Sequence, residues 1–252
     1  MKAEASSLFS RREIMGSAAA ATVLAFGAGA ARAAPAAPAV PATSAAPAAG
    51  PLRMADPQAV MKAASTGQLV FDIAWTDIVG GTLVSRFETV GDEIRAFTNI
   101  DASYFILWMP AIDYHLAVRE TWRGDRLVAF ESDTRDRGRR ESVRGQAVDG
   151  GFEVTGRKGR LMAPADIIPA TFWNPEIVTR DVVLDPQKGT LEDQEVKGHD
   201  RTTLSVMGQP LPVDRYRLDS VVKGDVYYED MGQWAGGRFK KKGFHIDFRR
   251  RA

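Results

Sequence analysis

The feature that most constrains the fold is an alternation of apolar and polar residues with a period of two. In the first run, Leu69, Phe71, Ile73 and Trp75 share one face. Further runs cover 94–106, 114–122, 127–133, 141–148, 152–156, 213–222, 226–229 and 244–248. Successive side chains of a strand point to opposite faces of a sheet, so this pattern predicts half-buried β-strands.

Short glycine-containing turns separate these runs. They are Gly80-Gly81, Gly91-Asp92, Arg123-Gly124-Asp125, Asp149-Gly150-Gly151, Lys223-Gly224-Asp225 and Met231-Gly232-Gln233. Strands this close in sequence must pair antiparallel, because a parallel crossover needs about a dozen residues or more. The sequence therefore predicts an all-β fold, a strongly curved antiparallel sheet or incomplete β-barrel of roughly ten to twelve strands.

Two segments depart from the strand pattern. Near the start, Asp56 and Pro57 open a short amphipathic stretch that ends at Gly67, which predicts one N-terminal helix. In mid-chain, Met162–Val178 contains three prolines and cannot form a central strand. We expect a long loop there, with a short helix capped by Asn174 and begun by Pro175.

The first 33 residues have the organisation of an export signal. Arg11-Arg12 precedes a mildly apolar stretch, and Ala31-Arg32-Ala33 has the small-x-small pattern of a cleavage site. The paired arginines are typical of a twin-arginine signal, although a buried N-terminal helix is the alternative. Residues 34–54 are almost entirely Ala, Pro and small residues, which predicts a disordered linker before one β-domain over 55–252. We therefore expect a periplasmic or secreted protein.

Composition narrows the possible functions. The chain has no Cys, three separated His and a formal net charge of +1, which argue against thiol chemistry, a metal site and nucleic-acid binding. It has no apolar run of the ~18 residues that a membrane-spanning helix needs. It also lacks a Gly-x-Ser-x-Gly motif and a glycine-rich phosphate loop. We expect no cofactor.

Three motifs resemble those of a known family. They are Pro169–Asn174, Glu120-Thr121-Trp122 before a glycine turn, and Tyr227–Trp234. Together they resemble an exported proteobacterial β-protein family known as a domain of unknown function, over about residues 67–250. The resemblance implies a curved antiparallel sheet, not unlike the open barrels that carry lipoproteins and lipids, and it implies no catalytic residues.

Glu120 is the sharpest candidate for chemistry, because it shares a strand face with Tyr114, Leu116, Val118 and Trp122. A carboxyl group on such a face would be desolvated and have a raised pKa, as a general acid requires. The alternative is a surface glutamate paired with Arg119 or Arg123. As an enzyme acting on envelope glycans, the protein would need a second carboxylate, for which we consider Asp230.

A ligand site is the second candidate. Trp173 can stack on a sugar or acyl surface while Asn174 reads a hydroxyl, and Trp122 and Tyr228 would complete the site. The alternative is that Trp173 plugs the sheet and Asn174 caps a helix.

Of the His-Asp pairs, His199-Asp200 points to opposite faces, whereas His245, Asp247 and His115 are expected to face solvent. The basic residues at 135–144 and 240–251 are expected to be solvated, with contact to anionic lipid as the alternative.

We interpret the chain as an exported binding or carrier domain that holds an apolar or amphipathic small molecule, a lipid or a glycan, in the concave face of its sheet. Two alternatives remain: an envelope-glycan enzyme with paired carboxylates, and a scaffold that binds another envelope protein at its sheet edges. A filled interior would favour the scaffold, and a deep dry cavity would favour the carrier.

Overall fold

The computed structural model describes residues 67–75, 77–106, 109–230, 232–241 and 244–251. These residues form fifteen strands and one short 3-10 helix at Pro175–Thr179. The strands are β1 (Gln68–Trp75), β2 (Ile78–Val90), β3 (Glu93–Ile106), β4 (Met109–Arg123), β5 (Arg126–Asp136), β6 (Arg139–Val148), β7 (Gly151–Gly156), β8 (Gly159–Ala163), β9 (Val182–Leu184), β10 (Leu191–Asp193), β11 (Glu195–Val206), β12 (Gln209–Asp219), β13 (Lys223–Tyr228), β14 (Trp234–Lys241) and β15 (Phe244–Arg250).

Thirteen of the strands form one antiparallel sheet in the order β11-β12-β13-β14-β15-β1-β2-β3-β4-β5-β6-β7-β8. Almost every strand pairs with its neighbour in the chain, so the sheet consists of two runs of hairpins. The runs join where β1 pairs with β15, with Ile73 opposite Phe248. The sheet remains open between β8 and β11, and β9 and β10 pair separately. The all-β antiparallel prediction is confirmed.

The predicted strand count of ten to twelve is too low. The omitted strands include β8, β9, β10, β11 and β14, which are short, glycine-rich or lack a buried face. Gly80-Gly81 was taken for a turn but lies inside β2. A Cβ at Gly81 would come within 2.8 Å of the Ala102 Cα, so this glycine permits close strand approach. Lys223-Gly224-Asp225 likewise lies in β13. The predicted helix at 56–66 falls outside the described residues.

Residues 164–194, which we call the plug, pack against one face of the sheet. Ile167, Ile168, Trp173, Ile177 and Leu184 are fully buried in one hydrophobic core with the inward side chains of the strands. Backbone hydrogen bonds from the Ala170 amide to the Leu184 carbonyl (2.9 Å) and from the Leu184 amide to the Ile168 carbonyl (3.0 Å) fold the plug on itself. The plug therefore packs on the side of the sheet on which a ligand was expected.

The predicted proline-rich loop is confirmed from Pro164 onwards, because Met162 and Ala163 belong to β8, and the predicted capped helix is the 3-10 helix. Asn174 has extended backbone dihedrals, and its side-chain oxygen accepts a hydrogen bond from the Glu176 amide at 3.0 Å. Pro175 follows at the first turn, where its missing N–H leaves no bond unmade. No helix among the described residues is long and apolar enough to cross a membrane.

Candidate functional site

Glu120 lies at the centre of a buried polar cluster between β4 and the plug. Its side chain is on the inner face of β4, and the residue is 1% exposed. Thr171 Oγ1 and Trp173 Nε1 donate hydrogen bonds to Oε1 at 2.7 and 3.1 Å. Trp122 Nε1 donates to Oε2 at 2.9 Å. We call these four residues the Glu120 cluster.

The cluster solvates a carboxylate with neutral donors alone. Burial raises the pKa of Glu120 to about 7, because the desolvation of the charged form exceeds the opposing effect of the three hydrogen bonds. The alternative of surface pairing is wrong. Arg119 lies 3.6 Å from Glu131, and Arg123 pairs with Glu93 at 2.8 Å.

Both protonation states of Glu120 can be hydrogen-bonded. The ionised carboxylate accepts all three donors. Thr171 Oγ1 also lies 3.5 Å from the Pro169 carbonyl oxygen. When Glu120 is protonated on Oε1, it can donate to Thr171 Oγ1, whose proton then turns towards Pro169. The cluster can therefore hold or release a proton near neutral pH, but it is enclosed by protein.

The four predicted ligand-binding residues are all buried. Trp173 packs edge-on against Trp122 and Phe87, with ring centroids 5.7 and 5.2 Å apart. The Tyr228 hydroxyl donates to the Phe172 carbonyl at 2.8 Å. Asn174 caps the 3-10 helix, and its Nδ2 is buried without a hydrogen-bond partner among the described residues. Trp122 and Trp173 are therefore in contact with each other. Asn174 lies in the plug itself, and Tyr228 contacts the plug through the Phe172 carbonyl. Ligand binding by these residues stays a prediction.

Asp230 does not join Glu120 in the described contacts. It is largely exposed in the turn after β13 and forms an ion pair with Arg201. The paired carboxylates of the enzyme alternative are therefore not assembled in the described residues. Thr171 was missed by the sequence reasoning, because no local pattern links it to a strand residue 51 positions earlier.

The three histidines are dispersed. His115 lies between Asp101 and Asp113, and the second contact measures 3.0 Å. His199 stacks on Tyr216 and contacts Asp214 at 3.0 Å. No group of three or more acidic or histidine side chains within the described ranges is arranged to hold a metal ion.

Asp247 was expected to face solvent and is instead 8% exposed. Arg238 Nε donates to it at 2.7 Å and Arg249 at 3.1 Å. These hydrogen bonds and charges lower the pKa of Asp247. The prediction that Asp247 faces solvent is wrong, because the neighbouring arginines cover its carboxylate and bury it in ion pairs.

An open groove of about 650 Å³ lies on the outer face of β3–β7. Arg119 and Thr121 occupy strand positions that alternate with those of Glu120 and Trp122, so their side chains point away from the plug, and the buried Glu120 and Phe130 also border the groove. Arg119 and Arg144 both reach Glu131, at 3.6 and 2.9 Å. The other lining residues include Arg95, Phe97, Thr121, Gln146, Glu153 and Thr155. We call this the arginine groove.

Comparisons with known proteins agree with the fold. A structure described as a beta-barrel-like protein of domain of unknown function DUF1849 from Brucella abortus is similar, with a TM-score of 0.53 and 12% sequence identity. The match covers 73% of this chain and 94% of the Brucella chain. No curated protein matches the sequence. The family model of the domain of unknown function DUF6134 matches residues 71–251, and the chain belongs to that family.

Proposed function

We propose that this is an exported binding domain of the cell envelope whose ligand contacts lie on the outer face of its sheet. The observation that carries the proposal is the position of the plug. Its apolar side chains are buried against one face of the sheet, where burial of each large residue stabilises the fold by roughly 1.5–3 kcal/mol. A plug held by several such residues belongs to the folded core.

The arginine groove supports an anionic ligand. Two guanidinium groups share the single carboxylate of Glu131, and Glu153, which also lines the groove, pairs with Arg160. Arg95, which lies 3.7 Å from Glu93, is a third cation, and Phe97 offers an aromatic surface in the same groove. Guanidinium groups bind carboxylate and phosphate oxygens in a forked geometry. A carboxylate- or phosphate-bearing chain fits this combination better than an apolar molecule does.

The groove proposal is tested by combining Arg119→Gln with Arg144→Gln and titrating with short polyglutamate and polyphosphate. We expect binding to the parent protein and at least a tenfold loss in the double variant. Arg217→Gln is the matched control, because Arg217 is also exposed and paired with an aspartate, Asp200, but lies on β12. An equal loss in the control would refute a specific groove.

A ligand between plug and sheet remains the second candidate. The observation that favours it is the side-chain nitrogen Nδ2 of Asn174, the residue that follows Trp173. This atom is buried and has no hydrogen-bond partner among the described residues. A lipid or glycan there would have to displace part of the plug. Native mass spectrometry of protein recovered from cells decides between the two: a retained mass that survives Arg119→Gln with Arg144→Gln but is lost in Asn174→Ala would favour the interior.

The export proposal rests on the first 33 residues. Replacing Arg11 and Arg12 together by Lys should leave precursor in the cytoplasm, since twin-arginine signals tolerate little change in the pair. Unchanged export of the double variant would contradict a twin-arginine route.

A further inference from the structure

The outer face of the sheet carries a row of side chains that crosses seven strands, from β2 to β8. Each residue of the row is directly opposite the next: Arg86 (β2), Phe97 (β3), Arg119 (β4), Glu131 (β5), Arg144 (β6), Thr155 (β7) and Arg160 (β8). Directly opposite residues of paired strands project from the same face. The row alternates along β2 and β4 with the buried Phe87 and Glu120, so it lies on the face away from the plug.

Arginine occupies every second position of this row. We call Arg86, Arg119, Arg144 and Arg160 the arginine row. Neighbouring strands are about 4.8 Å apart, so consecutive arginines start about 9.6 Å apart and the row extends over about 29 Å. The arginine groove lies on β3–β7 and therefore contains only the middle of the row. Arg86 and Arg160 lie one strand beyond the groove on either side.

Positive charge is concentrated along the row itself. The row contains four arginines and one acidic residue, Glu131. The neighbouring rows, two residues along each of these strands, carry Asp133 on one side and Glu88, Arg95 and Glu153 on the other. A polyanion that lay along either neighbouring row would meet these carboxylates, whereas one that follows the arginine row meets a cation at every second strand.

The four arginines are exposed and keep N–H donors for a ligand. A guanidinium group has five N–H donors. Arg86 donates through Nε to Gln68 at 3.2 Å, and Arg144 donates through Nη1 to Glu131 at 2.9 Å. Arg160 donates through Nη2 to Glu153. Within the described contacts, these three guanidinium groups each use one nitrogen, so the others can bind carboxylate oxygens.

The spacing and Phe97 together favour a sugar polymer. Phe97 is half-buried between Arg86 and Arg119, and an aromatic ring in such a place can pack against the face of a sugar ring. Two linked pyranose rings of an extended glycan span about the same distance as two strand spacings. A glycan with a carboxylate on every second sugar therefore presents one carboxylate to each arginine. Polyphosphate and polyglutamate carry a charge on every unit, which is closer than the arginines are.

We propose that the arginine row binds a linear acidic glycan in which a uronate alternates with an uncharged sugar. The glycan lies across the strands, with one carboxylate at each arginine and a sugar ring on Phe97. This inference rests on the proposed function, because the middle of the row is the arginine groove. It adds the class of the ligand, its direction across the sheet and its length: four carboxylates in this repeat require eight sugars. Contacts along one chain reinforce one another, so a longer glycan binds more tightly until the row is filled.

The test is calorimetric titration of the full chain with hyaluronan tetrasaccharide and octasaccharide, in which glucuronate alternates with N-acetylglucosamine. An uncharged octamer of N-acetylglucosamine is the ligand control. Arg86→Gln with Arg160→Gln removes the two ends of the row, and Phe97→Ala removes the aromatic surface. Arg135→Gln with Arg140→Gln is the matched control variant. Both of its arginines are exposed and opposite each other on β5 and β6, on the same face, but about 13 Å along the strands from the row.

We expect the parent protein to bind the octasaccharide more tightly than the tetrasaccharide, and both more weakly at high salt. Arg86→Gln with Arg160→Gln should lose about tenfold in affinity for the octasaccharide, about threefold per arginine. It should bind the tetrasaccharide nearly as the parent does, because Arg119 and Arg144 remain. Phe97→Ala should lose about fivefold for the glycan and keep its affinity for polyphosphate, which also shows that the variant is folded. The control variant should bind as the parent does.

The arginine row and the groove can fail separately. Unchanged octasaccharide binding in Arg86→Gln with Arg160→Gln, an equal loss in the control variant, or equal affinity for the uncharged octamer would overturn the glycan inference. So would a parent protein that binds no hyaluronan. If polyphosphate binding then still depended on Arg119 and Arg144, the groove proposal would stand alone; if the parent bound none of these polyanions, both would fail.

Discussion

Two buried carboxylates on different parts of the sheet are stabilised in opposite ways. Glu120 on β4 receives three hydrogen bonds from neutral groups, and burial raises its pKa to about 7. Asp247 on β15 receives hydrogen bonds from Arg238 and Arg249, and its pKa is lowered. Burial alone therefore does not decide whether an acidic group stays ionised; the charge of its donors does.

The difference follows from where each residue lies. Glu120 faces the plug, where the surrounding side chains are apolar or aromatic. Asp247 lies between two arginines that reach solvent, and their hydrogen bonds and charges outweigh the desolvation of its carboxylate. The two sites should consequently respond to pH in opposite directions.

The largest effect should come from truncating a tryptophan in each region. Trp173→Ala and Trp234→Ala should each lower the free energy of unfolding by about 3–5 kcal/mol, because both side chains are fully buried. In the Trp173 variant the cavity adjoins Glu120, so hydration should lower the pKa of Glu120 by more than the loss of the Trp173 hydrogen bond raises it. Chemical denaturation at several pH values measures both effects. If the Trp234 variant also lost the pH dependence of stability that we assign to Glu120, that pH dependence would not be specific to the Glu120 cluster.

The pH dependence of stability is the next largest effect. Because the folded pKa of Glu120 is raised, the folded state binds the proton more tightly, so its contribution to stability is greatest below pH 4.5 and is lost as the pH rises to about 7. We expect a fall of roughly 1–3 kcal/mol across this range. Glu120→Gln should abolish this fall and be at least as stable as the parent at pH 8, measured by denaturation. A fall that persists in Glu120→Gln would assign it to another group.

Asp247→Asn should cost less, about 1–2 kcal/mol near neutral pH, because Arg238 keeps much of its contact with solvent. The sign is opposite to that of Glu120. With a lowered folded pKa, Asp247 stabilises the fold above pH 3.8, and this contribution is lost as the pH falls further. Acid titration of parent and variant should converge at low pH. Asp200→Asn, which removes a half-buried arginine-bound carboxylate, is the control for surface pairing.

The smallest effect concerns the plug, which supplies two of the hydrogen-bond donors to Glu120. Asn174→Ala removes the oxygen that caps the 3-10 helix and should cost about 1 kcal/mol. Asn174→Ser keeps a capping oxygen and should lose only a few tenths of that. Thermal melts of both variants measure the difference. Equal melting temperatures would show that the cap contributes little and that packing alone holds the plug.

Local patterns predicted much of the fold. The alternation in β1, the face shared by Glu120 and Trp122, and the Asn174-Pro175 helix start all depend on near neighbours in the chain. The prediction of a turn was wrong where a glycine lies inside a strand and allows the neighbouring strand to come close, as at Gly81. The β11 strand has no buried residue, so its sequence lacks a clear apolar alternation.

The environment of the site was less predictable. The raised pKa expected of Glu120 followed from its strand face, but two of its three donors come from the plug, more than fifty residues later. The prediction that Asp247 faces solvent was wrong for a related reason, because Arg238, which covers its carboxylate, belongs to the adjacent strand. Such cross-strand partners depend on register, which alternation alone does not fix.

The pairing of β1 with β15 has a consequence for biosynthesis. β15 is synthesised after both of its neighbours, because it lies inside the sheet between β14 and β1. During translation, each run of hairpins can form, but β1 and β14 both keep a bare edge until residue 250 has emerged. Loss of Phe244–Arg250 would therefore divide the sheet through its interior, where loss of β8 would only trim a border.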